Sequence, residues 1–123
     1  MSEHTEQVSL FEWASWVENR IPELRLLHHV PNGGKRDKRT AAMLKAEGVK
    51  SGVPDVVLPV ARGGFHGLYL ELKVGRNKPS DAQKAWLAAL EAEGYRTAVA
   101  YDWTAAARAL VAYLGHDARE FGL

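Results

Sequence analysis

The chain has 123 residues, a formal net charge of +1, 46% hydrophobic and 25% charged residues, and no cysteine. That length suits a single domain, 1–123, with a real core and is too short for two; the missing thiols exclude disulfides, thiolate zinc sites and a cysteine nucleophile. No apolar stretch approaches membrane-spanning length and Met1-Ser2-Glu3-His4 does not read as a signal peptide, so a cytoplasmic protein with no membrane partner is expected.

Taken in order, the first periodic stretch runs from Glu3 to about Asn19, with a helical stripe of Leu10, Phe11, Ala14 and Val17 and with Pro22 beyond its end. Leu24 to Val30 reads as a strand, closed by the turn letters Pro31-Asn32-Gly33-Gly34. Alternation along that strand puts His28 and His29 on opposite faces, so one of them is expected buried and hydrogen-bonded, and neither reads as a metal ligand. Lys38 to Glu47 is helix-prone and stops at Gly48. Charge is uneven across these pieces: residues 1–24 sum to −4, whereas 35–50 sum to +4 through Lys35, Arg36, Lys38, Arg39, Lys45 and Lys50. Local basicity of this kind suits a phosphate backbone and equally a solvated helix. Asn32, Gly33, Lys35 and Arg36, with Lys38 and Arg39 behind them, could bring backbone amides and cations to a phosphate, though a tight turn explains the glycines equally. Its Gly-Gly-Lys is no P-loop, because the first glycine and the closing Ser or Thr are missing.

Two strands follow, Asp55 to Val60 and Leu68 to Val74, around the turn letters Arg62-Gly63-Gly64. An antiparallel hairpin centred there pairs positions whose numbers sum to about 126, which sets Asp55 opposite Glu71. Facing side chains sit roughly 5 Å apart at Cβ, close enough for two carboxylates to share a divalent ion, and alternation brings Lys73 to the same face. The other face, from Val56 to Val74, is wholly apolar. The same letters also suit a solvated strand face with a cross-strand ion pair, a reading that Tyr69 and Val57 beside the charges count against. Ser80 then opens a capping box with Gln83 and a helix to about Glu93. In it, Trp86 has helical spacing with Leu87 and Leu90 and reads as core rather than as a base-stacking platform. Tyr95 to Tyr101 reads as a strand and Trp103 to Leu114 as a last helix, giving α-β-α-β-β-α-β-α, an order met by a sheet with helices on both faces.

That order, together with Gly52-Val53-Pro54-Asp55, Glu71-Leu72-Lys73, Ser80-x-x-Gln83-x-x-Trp86, Gly94-Tyr95, His29 to Arg36 and Glu3 with Gln7, resembles the PD-(D/E)XK nuclease superfamily, and within it the stand-alone VRR-NUC family of phage and bacterial origin. The resemblance runs from residue 3 to about 101, and the final helix adds nothing to it. It implies an α/β, restriction-endonuclease-like three-layer α/β/α core with a mixed central sheet. It further implies a metal-dependent DNA endonuclease in which Asp55, Glu71 and the Leu72 carbonyl bind Mg²⁺ or Mn²⁺, Lys73 serves the attacking water or the oxyanion, and Glu3 with Gln7 reaches the metal through water. Glu6 is the alternative first-helix acid, and Gln83 either contacts the site or only caps its helix. Holliday-junction-like branched DNA and a homodimer are further implications, with Trp13 and Trp16 as the candidate dimer surface or as part of a wide core face. A non-catalytic DNA-binding module and a nicking or exonucleolytic enzyme are the alternatives.

Overall fold

The computed structural model describes residues 2–31 and 37–123. Its elements are α1 (Glu3–Val17), β1 (His28–His29), α2 (Lys38–Ala46), β2 (Val56–Leu58), β3 (Leu68–Leu72), α3 (Asp81–Ala92), β4 (Arg96–Ala100) and α4 (Trp103–Tyr113), with short 3₁₀ turns at Pro22–Leu26 and Ala118–Phe121. The sheet order is β1-β2-β3-β4, antiparallel except for the parallel pair β3/β4, so the architecture is mixed α/β as anticipated. One expected strand is cut short. Leu24 to Leu26 belongs to a 3₁₀ turn that Pro22 opens, since a proline at the first helical position gives up only an amide that would lack a partner anyway. Only two residues remain to pair with β2, and at this edge both His28 and His29 are exposed, correcting the expectation that one is buried.

The β2/β3 hairpin has the anticipated register: Val56 faces Leu70, Val57 faces Tyr69 and Leu58 faces Leu68. At its tip Arg62 and Phe65 exchange two backbone hydrogen bonds (3.1 and 2.8 Å) around Gly63 and Gly64, both at positive φ. Two such residues in succession make the turn whose twist matches the flanking strands, and glycine adopts it without a steric penalty. Side chains of even number on β2 and β3 enter a core with Leu10, Trp13, Ala14, Ala106, Leu110 and Val111, so α1 and α4 form a thick layer on that face. The layer on the odd-numbered face is thinner. Neither α2 nor α3 buries a residue fully, and α3 is tied to the sheet by polar contacts, Thr97 Oγ1 to Glu91 and Gln83 to Glu71. Trp86 is accordingly half-buried rather than core.

The two first-helix tryptophans part company. Trp13 is a core residue whose indole N–H donates to the Phe121 carbonyl at 3.2 Å, anchoring the C-terminal turn. It is therefore unavailable as a dimer surface, whereas Trp16 is 78% exposed.

Candidate functional site

Three chain segments converge where β3 ends. Asp55 immediately precedes β2, Glu71 is the fourth residue of β3, and Glu3 opens α1. The approach to Asp55 is narrow: Gly52 lies at φ +93°, and a Cβ there would come 2.7 Å from the Ala82 carbonyl carbon in the first turn of α3. Real Cβ contacts do not reach that distance, so Gly52 lets the chain slide beneath α3 and deliver a buried Pro54 and then Asp55 to the sheet.

One carboxylate oxygen from each of Glu3, Asp55 and Glu71 lies within 4.8 Å of the other two. Asp55 Oδ2 accepts the Leu72 backbone N–H at 3.0 Å, which fixes that carboxylate against β3. Glu71 is 1% exposed; its Oε1 accepts from the Gln83 side-chain amide at 3.0 Å and stands 3.8 Å from Lys73 Nζ, while its Oε2 is buried with no hydrogen-bond partner among the described residues. Burial pushes the Glu71 carboxyl up to about 8, with the neighbouring Asp55 adding to the effect and Lys73 opposing it. Three hard oxygen donors crowded together, one of them buried and reluctant to ionise alone, are the donor chemistry a divalent cation satisfies.

The supporting residues divide by function in a way that letters alone left open. Glu6 is nearly as buried as Glu71, but its Oε1 accepts the Trp103 backbone N–H at 3.1 Å, closing the first turn of α4. It faces a helix end, and Glu3 is the first-helix acid at the carboxylate cluster; Asn77 Nδ2 donates to Glu3 Oε2 at 3.5 Å. Gln7 lines a surface groove with His4, Val8, Phe11, Glu12 and Ser15. Gln83 both caps and reaches in: its Oε1 accepts the Ser80 backbone N–H at 2.8 Å, leaving its amide for Glu71. The capping box and the contact to the carboxylate are one side chain used at both ends. Sequence reasoning passed over Asn77, which sits in the turn after β3 and carried no periodic or motif signal, and the Asp55 main chain, whose carbonyl accepts from His29 Nδ1 at 2.9 Å and from the Val30 N–H at 2.8 Å. Lys38 and Arg39 stand exposed in the first turn of α2, after Asp37, whose side chain caps that helix through Thr40; Asn32, Gly33, Lys35 and Arg36 lie outside the described residues.

A mixed α/β sheet carrying Asp and Glu-x-Lys at one strand end, joined by a helix carboxylate, defines a nuclease-type fold with an acidic centre able to hold a metal ion. The profile of the VRR-NUC domain matches residues 5–103, and the chain belongs to that family. Among solved structures, one described as a VRR_NUC domain protein superimposes with a TM-score of 0.77 at 29% identity, covering 93% of this chain and 88% of that one. No curated protein matches. Glu3 precedes the matched span, and most of α4 follows it.

Proposed function

We propose that this chain is a metal-dependent endodeoxyribonuclease that hydrolyses phosphodiester bonds in branched DNA, including four-way junctions, during phage or bacterial replication and repair. The observation that carries the proposal is Glu71: a buried carboxylate packed beside Asp55 and Glu3 with an ammonium 3.8 Å away, and with one oxygen unpartnered among the described residues. A carboxylate that served only to pair with Lys73 would not be crowded by two further acids.

On this reading Asp55, Glu71 and the Leu72 carbonyl would hold Mg²⁺ or Mn²⁺, with Glu3 as the further carboxylate of the cluster. The bound ion supplies neutralisation of phosphate charge and acidification of a coordinated water. The chain's own residues supply the rest. Gln83 holds the Glu71 carboxylate in one orientation, and the Leu72 amide does the same for Asp55. Lys73 is 9% exposed, so its charge acts at low dielectric on the attacking water or on the oxyanion that develops at phosphorus. Lys38 and Arg39, with the preceding basic residues, draw in the phosphate backbone. A four-way junction is near two-fold symmetric, and one chain offers one Asp-Glu-Lys set, so a closed homodimer is the economical way to cut both strands.

The test is to incubate the purified protein with labelled four-way junction, duplex, flap and single-stranded DNA, each with Mg²⁺, Mn²⁺, Ca²⁺ or EDTA. Mg²⁺- or Mn²⁺-dependent cleavage, strongest on the branched forms and lost by a factor on the order of 10² or more in Glu71→Ala, Asp55→Ala and Lys73→Ala, is expected. Cutting by Glu71→Ala at the wild-type rate would overturn the site. DNA binding without cleavage under any metal would leave a binding module.

A further inference from the structure

A groove of about 410 Å³ opens between α3 and the turn after α2, lined by Trp86, Val30, Pro31, Val53 and the turn from Glu47 to Lys50. We propose that this groove receives one unstacked nucleobase of the DNA strand being cut, with the Trp86 indole as its stacking surface. The inference rests on the nuclease reading above and adds to it a substrate feature, an unpaired or distorted nucleotide next to the scissile phosphate.

Four observations converge on it. A tryptophan spent on the core is covered, as Trp13 is, whereas Trp86 is half-buried and lines the groove. Position is the second. Trp86 follows Gln83 by three residues on α3, which sets the two side chains on one helical face about 5–6 Å apart at Cβ, and Gln83 touches Glu71. The opposite wall is hung on the same centre, because Val30 donates its N–H to the Asp55 carbonyl at 2.8 Å and Val53 precedes Asp55 by two residues. A base in the groove would thus belong to a nucleotide within a step or two of a phosphate held at the carboxylates. Shape and lining are the third: the volume falls within the range of small-ligand pockets, and its walls are mostly apolar, suited to the face of a base and not to sequence-specific hydrogen bonding. Charge is the fourth and the weakest: Lys50 and Glu47 both line the groove and offset one another, while residues 37–50 as a whole carry Lys38, Arg39, Lys45 and Lys50 against Asp37 and Glu47, so the wider surround favours a polyanion.

The selectivity follows from the energetics. Extracting a base from continuous duplex costs a few kcal/mol, and least where the base is already unpaired, so flaps and junction centres are favoured over intact helix without any sequence being read. The experiment places 5-iododeoxyuridine at single positions around the branch point of a flap and at the matching positions of a continuous duplex. These are irradiated with saturating protein in EDTA, and the crosslinked peptide is mapped. Binding is measured in parallel for Trp86→Ala and Trp86→Phe, with thermal melting to verify folding, and wild-type cleavage is followed in Mg²⁺ and Mn²⁺. Expected are a crosslink to Trp86 from one position on the flap, a loss of flap affinity of about 5- to 150-fold in Trp86→Ala, most of it restored in Trp86→Phe, and little change on duplex. If Trp86→Ala fails to fold, the crosslink and the Phe variant decide. Crosslinks that map elsewhere, or equal losses on flap and duplex, overturn the stacking groove even where cleavage is intact; absence of cleavage under either metal overturns the nuclease reading while the crosslink still decides the groove.

Discussion

The substitution Glu71→Gln separates what the carboxylate does for the fold from what it does for chemistry. In the metal-free protein burial raises this carboxyl from its ordinary 4.5 to about 8, so between those values the folded chain holds a proton that the unfolded chain has released. Stability therefore falls as pH rises through that window and levels off above it. At about 1.4 kcal/mol per tenfold change in proton affinity, the loss is on the order of a few kcal/mol, shared with the coupled Asp55 carboxylate. At roughly 3–6 °C per kcal/mol for a domain of this size, the melting temperature should drop by ~10 °C or more between pH 5 and pH 9 in EDTA. Glutamine reproduces the protonated acid: its carbonyl accepts from Gln83, and its NH₂ is a donor where the Glu71 proton would face Asp55. The variant should match wild type near pH 5, exceed it at pH 9, and lose its share of the pH slope, while cleavage is abolished because a neutral amide is a poor cation ligand. Added Mn²⁺ should raise the wild-type melting temperature most at high pH and leave the variant nearly unmoved. Calorimetry of both proteins from pH 5 to pH 9, with and without metal, tests this, and taking the difference removes the shared contribution of the five histidines. Parallel slopes for the two proteins would show that Glu71 is ionised in the metal-free fold and refute the reasoning.

Glu6→Ala should lower stability by about 1–3 kcal/mol in denaturant titration, because it leaves the Trp103 N–H without its acceptor, yet retain cleavage while folded. Glu3→Ala should do the reverse, with near-wild-type stability and weakened Mn²⁺ binding by isothermal titration; matching behaviour of the two variants would dissolve the distinction. Replacing Lys38 and Arg39 together by alanine should weaken DNA binding similarly across sequences and flatten the plot of log affinity against log salt by roughly one unit per lost phosphate contact; an unchanged slope in filter binding would mark the start of α2 as merely solvated. Trp16, 78% exposed on α1, is the aromatic left for a dimer contact now that Trp13 is internal. Light scattering at micromolar concentration should give a dimer mass that falls to a monomer in Trp16→Glu, and a wild-type monomer that nicks one strand only would remove the paired-cut proposal.

How much was legible in the sequence depends on how local the deciding interactions are. Strand alternation and the Gly63-Gly64 turn are local, so the hairpin register that sets Asp55 against Glu71 follows from the letters, as do the Ser80/Gln83 capping box and the order of helices and strands. Pro22 was read as a stop after the first helix, yet its stronger effect was to start a 3₁₀ turn that consumed half of the next strand, a competition between two local preferences that periodicity does not rank. Identity at long range was illegible. Glu3 and Glu6 lie on adjacent turns of one helix with the same chemistry, and only the arrival of α4, some 97 residues later, gives Glu6 a backbone amide to cap and leaves Glu3 for the carboxylate cluster. Trp13 and Trp16 parted for the same reason, through a contact with Phe121, 108 positions away. Trp86 was misread as core because helical spacing reports which residues share a face, not whether a neighbouring layer covers that face; here α2 and α3 pack thinly and leave it open. The sequence by itself determined the helices and the hairpin register that pairs the two carboxylates, because these are written in spacings of two to four residues and one tight turn; the tertiary structure decided which acid, which aromatic and which face were free to act, because burial and hydrogen-bond partners are set by chain segments that meet only after folding.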